Sequence, residues 1–434
     1  MKFSARTATA VIMANMIGTG VFTSLGFQLA DIRSEFVLLM LWVVGGLTAL
    51  CGALTYAELG AALPRSGGEY NFLGRIYHPG VGFVSGWISA TIGFAAPTAL
   101  AAITFGTYLA SVFPALSPAW LACGLVGVLT FAHATSRRSS GRVQRAFTAV
   151  KILLILGFCL LAALLVDEPQ AISLLPRAGD GTLLTSGAFA VALIYVNYAY
   201  TGWNAATYLT GELDRPEQTL SRVLLQGTVV VMLLYLLLNV TFLYVAPAQD
   251  MMGRLEIGYV AAEHAFGPNG AAIMAVILAL LLISTASAMI MAGPRVLQVI
   301  GEDHQAFKVL AKVNADGVPA VAVMVQAGLT LLFILTASFE SILVFAGFTL
   351  GVSTFFTVLG IFVLRRRSPN LPRPYRVWGY PLPPLIFLAI TGWTLTYILA
   401  QRPVEGLWGL GIIASGAILY AFTRPRRPPG SASA

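Results

Sequence analysis

Long runs of apolar residues recur along the chain and constrain its fold more than any other feature. Hydrophobic residues make up 57% of the 434 residues and charged residues only 10%, with a mean hydropathy of +0.81. This composition lies outside the usual range of soluble globular domains. A helix needs about 20 apolar residues to cross a bilayer core. The sequence therefore predicts an all-α integral membrane protein with twelve transmembrane helices, near 7–30, 36–62, 78–112, 118–135, 146–166, 184–211, 221–246, 270–298, 319–337, 341–364, 380–400 and 405–423.

The distribution of Lys and Arg predicts the orientation of these spans, because basic residues are retained on the cytoplasmic side. If the N-terminus is inside, most basic residues fall in cytoplasmic segments such as 137–145, 365–376 and 424–427. Both termini are therefore expected in the cytoplasm, with the chain in the cell membrane. The basic residues do not share one surface with aromatic residues, which argues against nucleic-acid binding. Of the 26 basic residues, four fall in the external connections: Arg33, Arg177, Arg254 and Arg402.

Several classes of function find no support in the sequence. The four histidines are far apart and none has metal-ligand spacing to another, so we predict no metal site and no cofactor. There is no HExxH spacing and no Ser, His and Asp constellation, which argues against an enzyme. The three cysteines all fall inside predicted spans and are expected to be free thiols. The start of the chain has no signal-peptide cleavage pattern and is expected to remain in the mature protein.

Two polar, glycine-containing runs interrupt predicted spans at mid-depth, 15–21 in the first span and 197–204 in the sixth. Glycine weakens a helix, and unwound backbone at membrane depth is tolerated only where it lines a cavity. Breaks at the first helix of two five-helix halves point to a transporter site in a five-plus-five inverted repeat. The alternative is a close helix–helix contact at Gly18 and Gly20. The predicted regions are a first repeat at 1–170, a second at 184–367, helices 11 and 12 at 380–423 and a cytoplasmic tail at 424–434.

The two runs have the chemistry to bind a zwitterion. Free amides of Gly18, Thr19 and Gly20 at the start of a half-helix favour an anionic group such as a carboxylate. Carbonyls without helical partners at the end of the preceding half-helix, and those near Tyr198 and Thr201, can accept hydrogen bonds from an ammonium. The sequence therefore predicts recognition of the two groups that all amino acids share.

These motifs resemble the amino acid-polyamine-organocation superfamily, and specifically its L-type amino acid transporter branch. The resemblance implies alternating access and a substrate site between helices 1 and 6, with discontinuous helices at both positions. The stretches that carry it are MIGTGVF (16–22), YAELGAALPRSGGEYNFL (56–73), VQRAFTAVK (143–151) and YAYTGWNAATYLTGELDRPEQTLSR (198–222).

The resemblance also implies roles for individual residues. Thr19 and Gly20 would contact the substrate carboxylate, Tyr198 would be the gating aromatic, and Asn204 would belong to the substrate site. The animal members attach to a heavy chain through a cysteine between helices 3 and 4, but the connection 113–118 contains none, so we expect no disulfide-linked partner. The carbonyls expected to accept from the substrate amine are those of Met16, Ile17, Tyr198 and Thr201.

Lys151 is the one basic residue within a predicted span. In sodium-coupled relatives of this fold a cation lies between helices 1, 5 and 8, and the resemblance implies that Lys151 takes its place, with hydroxyls from Ser284 and Thr285. Alternatively, the side chain extends to the membrane interface. The first interpretation predicts transport without sodium.

The sequence thus predicts a secondary transporter of neutral amino acids that works by exchange or with protons. Apart from Glu58, expected to pin the cytoplasmic loop after the second span, spans 1–3 and 6 have no acidic residue before Glu212, so no carboxylate is expected at mid-depth. Small substrates are favoured if Tyr198 and Trp203 crowd the site. The alternatives are a sodium-coupled symporter and a nutrient receptor with a transporter fold.

Overall fold

A computed structural model describes residues 4–65, 67–135, 141–213 and 215–423, and in these ranges it is helical without β-strands. The predicted tail, 424–434, and part of the basic cluster at 137–145 lie outside the described residues. A π-helical turn covers Ser89–Gly93, and 3₁₀ helices cover Ala205–Glu212 and Gln305–Ala311. The α-helices are α1 (Ala5–Met16), α2 (Gly20–Asp31), α3 (Glu35–Ala62), α4 (Gly68–Ile76), α5 (Pro79–Ile88), α6 (Ala95–Val112), α7 (Pro118–Thr135), α8 (Gly141–Leu165), α9 (Asp180–Leu184), α10 (Gly187–Tyr200), α11 (Pro216–Val245), α12 (Ala248–Met251), α13 (Ile257–Asp303), α14 (Ala320–Thr336), α15 (Phe339–Arg367), α16 (Leu382–Gln401) and α17 (Pro403–Phe422).

Ten helical stretches in the described ranges are long and apolar enough to cross a membrane. They coincide with ten of the twelve predicted spans. The sixth and ninth predicted spans coincide with the shorter apolar helices α10 and α14, which have 14 and 17 residues. The architecture is therefore that of a multi-pass membrane protein, and the count of twelve spans stays a prediction.

Two predicted boundaries differ from the structure. The third predicted span is not one straight helix, because the π-helical turn Ser89–Gly93 separates α5 from α6. The eighth was predicted at 270–298, whereas α13 runs from Ile257 to Asp303. Gly267 leaves helical geometry with φ 71° and ψ −177°, so the predicted segment corresponds to the part of α13 after this kink. That part also continues past the apolar run to Glu302 and Asp303, since charged residues do not by themselves end a helix.

The two interrupted spans lie in the middle of the helical bundle. Helix α1 packs against α8 and α11, and α2 packs against α10. Trp42 of α3 has its ring centroid 6.1 Å from that of Tyr200 in α10 and 5.5 Å from that of Tyr235 in α11. All three rings are buried. This aromatic cluster fixes the end of α10 against α3 and α11, next to the second interruption.

The two faces of α8 have opposite surroundings. Leu153, Leu160 and Leu164 are 61–70% exposed and lie on one side of the helix, because spacings of seven and four residues return to the same face. Lys151, on the other side, is only 3% exposed. The leucine face is suited to contact with lipid, and the lysine points into the protein.

Candidate functional site

The first interruption separates α1 from α2. Helix α1 ends at Met16, residues 17–19 are not helical, and α2 begins at Gly20. The amide of Gly18 folds back onto the carbonyl of Met16 at 2.8 Å. The first amides of α2 have no partner one turn earlier in the helix, which makes this helix start a partially positive site.

The second interruption follows α10 and packs against the first. Helix α10 ends at Tyr200, and Gly202 has a φ of 101°, a conformation that side chains other than glycine rarely adopt. A Cβ atom at Gly202 would lie 2.9 Å from the backbone carbon of Asn15. The chain resumes as the 3₁₀ helix Ala205–Glu212. The sixth span is therefore broken at the position that the sequence predicted.

Both interruptions face one cavity of about 290 Å³. This volume is close to the lower limit for small-ligand sites, about 300 Å³. The wall also contains Trp203, beside Tyr198. Ile17 is the exception among the predicted substrate residues, because it lies outside the wall with 1% exposure. The predicted substrate residues in the wall are Met16, Gly18, Thr19, Gly20, Tyr198, Thr201 and Asn204.

Several carbonyls expected to accept from an amine already have partners in the protein. The carbonyl of Tyr198 accepts from the backbone amide of Thr201 at 2.9 Å and from its hydroxyl at 2.6 Å. The hydroxyl of Tyr235 lies 2.5 Å from the carbonyl oxygen of Met16 and 3.0 Å from that of Ala199. A hydroxyl carries one proton, so these two carbonyls share it. Tyr235 thus links the two interruptions, a role that its place in the apolar seventh span did not indicate.

Lys151 connects the first interruption to α13. Its ammonium donates to the carbonyl of Ile17 at 3.0 Å and to the hydroxyl of Thr285 at 2.8 Å. Its burial excludes the alternative in which the side chain extends to the interface. Ser284 is not a partner of Lys151, since adjacent helical residues point about 100° apart. Of the predicted cluster of Lys151, Ser284 and Thr285, the structure joins Lys151 with Thr285. The carbonyl of Ile17 is its other acceptor.

Glu69 is a buried carboxylate that the sequence did not place at the site. It lies on α4, between the second and third predicted spans, yet it lines the cavity with 3% exposure. Its oxygens accept from the hydroxyl of Tyr56 at 2.9 Å, from the amide of Asn204 at 2.6 Å and from the hydroxyl of Tyr208. A carboxylate therefore lies in the cavity wall although the spans themselves were expected to place none at mid-depth, because a connecting helix folds back against the cavity.

Glu58 pins a different segment from the one expected. Its carboxylate pairs with Arg365 at 2.6 Å and accepts from the backbone amide of Val377 at 2.7 Å. Arg373 lies 3.5 Å from its other oxygen. Glu58 thus fixes the connection between α15 and α16. The loop after its own helix is held instead by Asn71, which donates to the carbonyl of Arg65 at 3.2 Å.

The two glycines of the first interruption have different surroundings. A Cβ atom at Gly20 would lie 2.5 Å from the Cα atom of Ala199, too close for the two helices to keep their separation. At Gly18 the nearest atom would be the methyl carbon of Thr285 at 3.5 Å, an ordinary contact. Neither glycine has a positive φ. A side chain would therefore meet no left-handed backbone strain at either position, and Gly20 makes a close helix contact with Ala199.

Helical membrane architecture, with two interrupted spans around a small cavity, defines a membrane transporter. The chain belongs to the amino acid permease family, whose model matches residues 3–422. Since the family and the similar proteins are permeases and transporters, the protein is not an enzyme.

Three curated proteins are similar over most of this chain. Large neutral amino acids transporter small subunit 2 from Homo sapiens is 28% identical over 423 residues, which cover 95% of this chain and 78% of that protein. The b(0,+)-type amino acid transporter 1 from Mus musculus is 26% identical over 417 residues, 94% of this chain and 85% of that protein. Asc-type amino acid transporter 1 from Mus musculus is 26% identical over 423 residues, which cover 95% of this chain and 79% of that protein.

Proposed function

We propose that the protein is a secondary transporter that moves neutral, small amino acids across the cell membrane by alternating access. Transport is independent of sodium and proceeds by exchange or with protons. The names of similar proteins, one of them a large neutral amino acids transporter, support amino acids as the substrate class. The observation that carries the proposal is that both interruptions face one cavity.

The proposed architecture has twelve spans with both termini in the cytoplasm. Helices 1–5 (1–170) and 6–10 (184–367) form the inverted repeats, helices 11 and 12 occupy 380–423, and the tail covers 424–434. Ten long apolar stretches and two shorter apolar helices support the count. The breaks in the first and sixth spans support the repeat, since they occur at the start of each half.

In the proposed binding mode, Thr19 and Gly20 hold the substrate carboxylate at the start of α2, where the helix end is partially positive. The amine lies near the carbonyls of Met16, Tyr198 and Thr201 and uses the lone pairs that their protein partners leave free. Asn204 lies in the same wall, with its amide nitrogen committed to Glu69. Tyr198 closes the site as a gate. Tyr198 and Trp203 lie in the same wall and are proposed to crowd the site, which favours small substrate side chains.

Sodium independence is proposed from the position of Lys151. Its amine lies between α8, α13 and the first interruption and supplies a positive group there when it is protonated. A sodium ion there would compete with it for the same oxygens, and two adjacent cations repel each other.

The test is uptake by the purified chain in liposomes, without any partner protein. We expect saturable uptake of labelled alanine that continues when sodium is replaced by choline. Competition by each of the twenty amino acids should rank small neutral ones above arginine. Uptake that collapses in choline would instead identify a sodium symporter, and binding without transport would identify a receptor. Strong uptake of arginine with none of alanine, serine or leucine would refute the proposed selectivity.

A further inference from the structure

Three aromatic rings stack across the ends of the two interrupted spans that the proposed orientation places outside. Phe27 of α2 stacks on Tyr195 of α10, with ring centroids 5.6 Å apart and planes inclined by 18°. On its other face Phe27 stacks on Phe339, the first residue of α15, at 5.9 Å and 9°. Tyr195 is one helical turn before Tyr198 in the cavity wall. The stack therefore lies next to the cavity, across the two interrupted spans.

A carboxylate fixes this stack to elements that are not interrupted. Glu340 of α15 accepts a hydrogen bond from the hydroxyl of Tyr195 at 2.6 Å and forms an ion pair with Arg402. Arg402 stands between α16 and α17. One side chain thus joins α10 to α15 and to the α16–α17 connection. Hydrogen bonds to a charged acceptor are stronger than neutral ones.

Outward opening at this stack separates α10 from α15, on either side of Phe27. Movement of α10 away from α15 breaks the bond between Tyr195 and Glu340. Glu405 is also close to this region, but its carboxylate accepts from Ser341, beside Glu340 in α15, and so does not hold α10. Glu340 is therefore the carboxylate that bonds α10, through Tyr195, to α15.

We propose that Glu340 is the positioning residue of the external gate, which holds the aromatic stack closed and sets how often the cavity opens outward. This rests on the proposed transport function and on the orientation with the N-terminus inside. Weakening the bond lowers the free energy of the outward-open state relative to the closed one, so the population shifts toward it. A role in stability alone would change unfolding without changing access.

Two variants separate the charge from the packing. Glu340→Gln removes the charge and keeps the size, and Tyr195→Phe removes the hydroxyl and keeps the ring in the stack. The matched control is Asp250→Asn, because Asp250 pairs with His264 at 3.0 Å outside the interrupted spans. A reporter cysteine replaces Ala288 in the cavity wall, in a background without the three native cysteines.

The measurement is the rate at which a membrane-impermeant, positively charged thiol reagent, added outside intact cells, labels the reporter. Both variants should raise it by roughly tenfold, as expected for the loss of a hydrogen bond to a charged group. The control should match the parent. In uptake assays the external KM and kcat should both fall in the variants, since a transporter held open outward binds well but turns over slowly.

Unchanged labelling in both variants, or an altered melting temperature with normal labelling, would overturn the role of Glu340. Faster labelling from the cytoplasmic side alone would also overturn it. Labelling does not require transport. A parent protein without uptake would therefore refute the proposed function and leave the test of the gate intact.

Discussion

The ammonium nitrogen of Lys151 lies 3.0 Å from the carbonyl oxygen of Ile17, in the segment between α1 and α2. The same ammonium donates to the hydroxyl of Thr285 at 2.8 Å. The break in the first span is thus tied to α13 by a buried cation. One side chain of α8 therefore bridges the first interruption and α13.

Replacing Lys151 by Ala should lower the transport rate severely, by roughly tenfold or more, because two hydrogen bonds from a charged donor are lost. Membrane insertion should stay normal. The measurement is alanine uptake in liposomes, with protein recovery after gel filtration as the control. Lys151→Ala with normal kinetics would refute the assigned role.

A methyl group at Gly20 should abolish transport, whereas the same change at Gly18 should be tolerated. The Cβ atom of Gly20→Ala meets the Cα atom of Ala199 at 2.5 Å and forces α2 away from α10. In Gly18→Ala the nearest atom is at 3.5 Å. Gly20→Val, which is larger, should be inactive as well. Uptake and detergent stability of the variants provide the test, and equal uptake in the two alanine variants would contradict the contact model.

Tyr235→Phe should slow transport, because its hydroxyl is shared between the carbonyls of Met16 and Ala199. The loss of this bond should cost about 1 kcal/mol of stability. Tyr244→Phe is the matched control in the same helix, since the structure gives its hydroxyl no hydrogen-bond partner among the described residues. We expect kcat to fall more than KM rises in the first variant and neither to change in the second. Identical kinetics in both would show that the hydroxyl is dispensable.

The sequence predicted the features that depend on local composition. Glycine and polar residues at mid-depth marked both interruptions, and a lysine within an apolar span marked a buried cation. Features that depend on how helices meet were not predictable. The choice between Ser284 and Thr285 depends on the rotation of α13, and the clash at Gly20 depends on its crossing with α10. Glu69 was missed because its position in the cavity results from the folding of a connecting helix against distant segments.

The carboxylate of Glu69 accepts from three neutral donors, on Tyr56, Asn204 and Tyr208. Two of them belong to the chain just after the second interruption, so Glu69 holds that segment against α3 and α4. In Glu69→Gln the new amide group is a donor at one of the two acceptor positions, so the hydroxyl of Tyr208 must turn to accept from it, and Tyr56 and Asn204 face a neutral oxygen in place of a charged one. Hydrogen bonds to a charged acceptor are roughly twice as strong as neutral ones. The variant should therefore melt at a lower temperature and transport more slowly.

The matched control for this prediction is Glu302→Gln, because among the described residues that exposed carboxylate accepts a single hydrogen bond, from Gln298 one turn earlier in α13. The measurements are thermal unfolding in detergent and alanine uptake in liposomes. A further variant, Tyr208→Phe with Glu69 intact, removes one donor and leaves the carboxylate two others. Its loss of thermal stability and of transport rate should be smaller than that of Glu69→Gln, since the carboxylate keeps its charge and its other two donors. If Glu69→Gln unfolded at the wild-type temperature and transported alanine at the wild-type rate, Glu69 would not be what holds the segment after the second interruption.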